Sequence, residues 1–105
     1  MMSNEKIVNL LSMAQRAGCL SSGDFIAERM LKKGQAALVL MATDTAENNE
    51  EKYKFLCEEY QVPLRKLFTK EELGKTIGKE FRAVVTVNDR GFAKALLKIL
   101  DNGGM

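Results

Sequence analysis

A chain of 105 residues has room for one domain and one modest core. It has no histidine, so the commonest general base and the commonest zinc ligand are both missing, which weighs against an enzyme and a metal site; no cofactor is expected. A net charge of +2 is too small for binding driven by bulk charge, and the longest apolar run, Ala36 to Ala42, is far too short to cross a bilayer.

The start, MMSNEK, lacks the basic and apolar stretches of a secretion signal, so a cytoplasmic protein is expected. Ile7, Leu10, Leu11 and Ala14 have helical spacing, with Ser3 and Asn4 as caps and Gly18 as the stop. Cys19-Leu20-Ser21 is long enough only for an edge strand. A second helix is predicted from Ser22 or Gly23, burying Ile26, Ala27, Met30 and Leu31 and stopping at Gly34; Ser21 and Ser22 read as capping residues. AALVLMA (Ala36 to Ala42) reads as a strand covered on both faces. Thr43, Asp44 and Thr45 are cap candidates for a third helix, whose stripe is Tyr53, Leu56, Cys57 and Tyr60. After Val62-Pro63, Leu64 to Phe68 reads as a shorter strand. Thr69 caps KEELGKTIG, with Leu73 and Ile77 inward. Ala83 to Val87 is another buried strand. Asn88 or Asp89 then caps a helix burying Phe92, Ala93, Leu96, Leu97 and Leu100, and Asn102-Gly103-Gly104 is a frayed end.

Strict alternation of five helices and four strands predicts a mostly parallel sheet with helices on both faces, an α/β/α sandwich. Cys19 and Cys57 form no CxxC pair and read as reduced core thiols. Met13, Met30 and Met41 fall on core patterns. Charge is unevenly spread: Asp44 to Glu59 is mainly acidic, and Arg65 to Arg82 is mainly basic. One side acidic and another basic is the expected result, and a basic face suits an anionic partner.

Gly74-Lys75-Thr76 matches the end of a phosphate-binding P-loop, but the glycine that loop needs five positions earlier is Thr69, and Lys70 to Leu73 reads as helix. Gly74 is better explained by close backbone packing, and Gly78 by a turn after the helix. The pairs Glu50-Glu51, Glu58-Glu59 and Glu71-Glu72 are sequence neighbours on helices and read as solvated surface. The best remaining candidate is SSGDFIAERMLKKG, Ser21 to Gly34. A helix N-terminus at Gly23 offers unpaired N–H groups to a phosphate, and Arg29 and Lys33 share one face of that helix. Asp24 opposes this, since an acid there already satisfies the helix dipole.

SSGDFIAERMLKKGQAALVLMATD, followed by VPLRKLFTKEELGKTIGKEFRAVVTVND, resembles the ribosomal protein L7Ae/L30e family. The likeness runs over about residues 4 to 100, and the DRGFAKALLKIL ending is similar to the bacterial YlxQ-like branch. The resemblance implies one RNA-binding domain over residues 1–105, folded as a three-layer α/β/α sandwich around a mixed four-stranded sheet. It implies a non-enzymatic partner of structured RNA, often the kink-turn, a sharply bent duplex with an internal loop and sheared G·A pairs; ribosomal RNA and the ribosome are candidate partners.

Carried over by position, the implied RNA-binding residues are Gly23, Asp24, Phe25, Arg29 and Lys33 of the second helix, and Gly78, Lys79, Glu80, Phe81 and Arg82 of the loop before the last strand. In typical kink-turn binders an asparagine and a glutamate follow the helix-opening glycine by two and three residues, where this chain has Phe25 and Ile26. The phosphate-facing basic half is kept and the base-reading pair is not. The alternative is a protein–protein adaptor that uses Phe25 and Phe81 as partner contacts.

Overall fold

The structure, a computed structural model, describes residues 2–102, and the side chains of 5–102 among them. Nine elements follow in order: α1 (Met2–Arg16), β1 (Leu20–Ser22), α2 (Asp24–Lys32), β2 (Leu38–Met41), α3 (Glu47–Tyr60), β3 (Leu64–Lys66), α4 (Lys70–Thr76), β4 (Val84–Val87) and α5 (Arg90–Asn102). The strands form one sheet in the order β1-β4-β2-β3. β2 and β3 are parallel, whereas β4 runs antiparallel to both β1 and β2. The sheet is therefore mixed, as the family resemblance implies, and not mostly parallel. The apolar runs could not reveal this, because all four residues of β2 and of β4 are buried and such a strand reads alike in either direction.

Side-chain alternation along the strands divides the core into two. Leu38, Leu40, Val85 and Val87 face Ile7, Leu11, Leu73, Ile77, Ala93 and Leu96 of α1, α4 and α5. Val39, Met41 and Val84 face Ala27, Leu31, Tyr53, Leu56 and Cys57 of α2 and α3. Fully buried leucines such as Leu11, Leu31, Leu40, Leu73 and Leu96 each contribute about 1.5–3 kcal/mol.

Several stripes are narrower than the spacing predicts. Ile26, Met13 and Tyr60 are exposed. Met30, Phe92, Leu97 and Leu100 are only partly buried against the core. In α2 just Ala27 and Leu31, one turn apart, are buried, so Ile26 lies on the helix flank.

The caps also differ. α1 starts at Met2, ahead of Ser3 and Asn4, whose side chains lie outside the described residues, as does the tail beyond Asn102. Ala46 occupies the N-cap position of α3 without a side-chain bond, so Thr43, Asp44 and Thr45 do not cap it. Asp44 instead accepts from the Lys70 backbone N–H at 2.9 Å, at the start of α4, and Thr43 donates to the Phe68 carbonyl at 3.1 Å. Thr69 does cap α4, in a reciprocal box with Glu72, which removes Glu72 from the merely solvated acids. Asp89 caps α5 by accepting from the Phe92 N–H at 2.8 Å. Both cysteines are free; Cys57 is buried, and burial pushes its thiol up to about 11.

Candidate nucleic-acid interface

The antiparallel pairing of β1 with β4 brings two distant stretches together. Ser22 is opposite Val85, and the Gly23 N–H donates to the Val84 carbonyl at 3.1 Å. The chain enters α2 where it enters β4, so the start of α2 and the Gly78–Arg82 loop share one end of the sheet. Arg82 joins them, its Nε donating to Ser22 Oγ at 3.0 Å. Lys79, Arg82, Ser22 and Ile26 line one depression between the two. Ser21 and Ser22 are thus not caps: Ser21 Oγ accepts from Asn88 Nδ2 at 2.9 Å, and Ser22 holds Arg82.

Gly23 stands at the N-cap of α2 with φ 102° and ψ 150°, and no side chain closes the cap. That φ strains any residue with a Cβ. The first intrahelical bond runs from the Ala27 N–H to the Gly23 carbonyl at 2.9 Å. The N–H groups of Asp24, Phe25 and Ile26 precede it and have no acceptor within the helix.

Asp24 turns away from this opening. Its carboxylate accepts from the Tyr53 hydroxyl at 2.6 Å and pairs with Lys52 Nζ at 3.2 Å. The Tyr53 hydroxyl also lies 2.6 Å from the Asp24 carbonyl. Burial first, and then Asp24, push the Tyr53 phenol well above its ordinary range, so it is a donor here. Lys52 also reaches Glu28 at 2.9 Å, and Glu28 pairs with Lys32 at 2.8 Å. Hydrogen bonds from Lys32 and then Lys52 hold the Glu28 carboxyl down at about 2. The sequence set Asp24 against a phosphate; in the structure its charge is already occupied by α3. Tyr53, which reads as a core residue, fixes the first turn of α2 from a position too distant in sequence to suggest it.

The Gly78–Arg82 loop is held as firmly. The Lys79 N–H donates to the Gly74 carbonyl at 2.8 Å, and the Arg82 N–H to the Lys70 carbonyl at 3.1 Å. A Cβ on Gly74 would fall 1.3 Å from the Glu80 carbonyl oxygen, so this glycine is what lets α4 lie against the loop. Gly78 turns the chain with φ 74°. The stretch is helix and turn, not a phosphate-wrapping loop.

The charges sort by partner. From the basic stretch, Arg65 is bound to Asp101 at 2.8 Å and Lys66 to Glu50 at 3.0 Å. Among the described residues, Arg29, Lys33, Lys79 and Arg82 make no ion pair. Arg29, Lys33, Lys79 and Glu80 are exposed, as are Phe25 and Phe81 at 76% and 63%. Solvent-exposed aromatic rings beside unpaired cations can stack on a flat anionic ligand and neutralise it. Among the described residues no group of three or more His, Cys, Asp or Glu side chains could hold a metal ion, and no helix is long and apolar enough to cross a membrane.

Residues 5–97 match the model of the Ribosomal protein L7Ae/L30e/S12e/Gadd45 family. The chain is 38% identical to the RNA-binding protein YlxQ of Bacillus subtilis (strain 168), over 95% of its own length and 100% of that protein's. It is 33% identical to the RNA-binding protein YlxQ of Enterococcus faecium, covering 94% and 95% of the two chains. The fold is similar to that of a protein of unknown function from Bacillus halodurans, with a TM-score of 0.88, 32% identity and coverage of 91% and 97%. It is also similar to the Giardia lamblia 15.5kD RNA binding protein, with a TM-score of 0.80 over 97% and 90% of the chains; at 19% identity that likeness concerns the fold.

Proposed function

The chain belongs to the ribosomal protein L7Ae/L30e/S12e/Gadd45 family, and from that premise we propose that it is a non-enzymatic RNA-binding protein acting as one domain in the cytoplasm. Structured RNA, including kink-turns and ribosomal RNA, is its partner. The interface consists of Gly23, Asp24, Phe25, Arg29 and Lys33 with Gly78, Lys79, Glu80, Phe81 and Arg82. The observation that carries this reading is the meeting, at one end of the sheet, of an uncapped glycine-led helix start with Lys79 and Arg82, while Arg29 and Lys33 follow along the same helix; among the described residues none of the four cations has an acid partner. Relatives covering nearly the whole chain are named as RNA-binding proteins, which supports it.

Each part has a physical task. Arg29, Lys33, Lys79 and Arg82 neutralise phosphates and release counterions. The open N–H groups of α2 hold a phosphate by hydrogen bonds and the helix dipole. Asp24 contributes its backbone N–H while its side chain keeps the helix seated on α3. Phe81 and the backbone of Glu80 face an unstacked base. Four phosphate contacts predict that log affinity falls with log salt at a slope of roughly −3 to −4.

The test is a salt series on a kink-turn RNA and on a variant lacking the sheared pairs. Tight, salt-sensitive binding that weakens without those pairs is expected. Equal affinity for the two RNAs would reduce the reading to backbone charge, and no binding at low salt would overturn it. The exposed rings of Phe25 and Phe81 favour one other reading, a protein–protein adaptor. Protein partners recovered equally with and without nuclease would favour that adaptor.

A further inference from the structure

Phe25 is 76% exposed, the most exposed large apolar side chain among the described residues. It stands on the first turn of α2 and lines a shallow depression with Glu28, Arg29, Lys32 and Lys33. Two of these charges are spent within the protein, since Glu28 and Lys32 pair with each other and Glu28 also with Lys52. Among the described residues Arg29 and Lys33 are left unpaired, about one and two turns beyond the ring, or roughly 6 and 12 Å along the axis. An aromatic face with two cations in line beyond it matches a nucleotide, whose flat base is followed by a phosphodiester chain.

Phe55 provides an internal contrast. It is 66% exposed on α3, but its neighbours one turn away are Glu51, Lys52, Glu58 and Glu59, and Lys52 is engaged with Asp24 and Glu28. An anionic ligand would be repelled there and attracted at Phe25. Exposure alone does not separate the two rings; the charge around them does.

We infer that Phe25 is the stacking platform for an unpaired RNA base whose flanking phosphates lie on Arg29 and Lys33. A base inside a duplex has both faces covered, so the platform selects RNA with a nucleotide turned out of the stack. Selection by a π-face tolerates any base identity, in contrast to hydrogen bonding at base edges. This inference rests on the RNA-binding reading above and adds how that edge takes hold of a base.

The test uses the same kink-turn RNA with each loop nucleotide replaced in turn by an abasic one, which keeps the phosphates and removes the base. Besides the base that faces Phe81, one further position is expected to cost the native protein about 5- to 100-fold in affinity. Phe25→Ala should lose a similar amount on the intact RNA and show no further loss with that abasic RNA, while its salt slope stays that of the native protein. Phe25→Trp should bind at least as tightly as the native protein. If Phe25→Ala binds the intact RNA as tightly as the native protein does, or if its loss multiplies with the abasic loss at every position, the platform is overturned while RNA binding stands. If the native protein binds neither RNA, both readings fall.

Discussion

On the side of α2 that meets α3, every charge is matched. Asp24 is held by Tyr53 and Lys52, and Glu28 by Lys32 and Lys52. On the other side, Phe25, Arg29 and Lys33 point into solvent and, among the described residues, no acid answers the two cations. A helix of nine residues thus has one face that fixes its place in the fold and one with no structural duty. The first face is why the second can carry cations and a bare aromatic ring at little cost in stability.

The largest test of that division lies beside the helix. Gly74→Ala puts a methyl group into the Glu80 carbonyl, so α4 and the Gly78–Arg82 loop must separate. We expect a loss of about 1–3 kcal/mol in urea unfolding, with weaker RNA binding as the loop shifts. Tyr53→Phe removes the donor that seats the first turn of α2. It should cost about 1 kcal/mol in the same assay and reduce RNA affinity without touching a phosphate-contacting residue. Arg29→Ala with Lys33→Ala should leave stability within about 0.5 kcal/mol while lowering the salt slope of RNA binding by about 2. An equal stability loss from both kinds of change would erase the distinction between the faces.

The smallest effect concerns pH. Glu28 titrates near 2 in the folded protein and near 4.5 when free, so the unfolded chain binds more protons between these values. Its stabilising share is present above about 4.5 and is lost as pH falls towards 2. Glu28→Gln should flatten acid unfolding in that window, as followed by circular dichroism, and, by freeing Lys32 beside Phe25, raise RNA affinity slightly at neutral pH.

Much of the fold was legible because it is local. The apolar spacing gives the order of helices and strands, Thr69 announces α4, and Gly34 and Gly78 mark turns at φ 74°. Sheet direction was hidden, because β2 and β4 are buried on both faces. Ile26 was misplaced because the pattern 26, 27, 30, 31 is wider than the face α2 presents to the core. At the candidate site the sequence offers candidate residues but not their pairings. Whether Asp24 repels a phosphate or is occupied depends on Tyr53, 29 residues away, and the approach of Arg82 to Ser22 spans 60. The first depends on the packing of α2 on α3 and the second on the register of β1 against β4, which the chain reveals only when folded.

The most direct measurement is amide chemical-shift mapping of the isotope-labelled protein titrated with a kink-turn RNA. The account predicts that shifts cluster at Gly23 to Arg29, Lys33 and Gly78 to Arg82, and spare the acidic outer surface of α3 and the C-terminal half of α5. Shifts centred on α3 or α5, with the α2 edge silent, would contradict it.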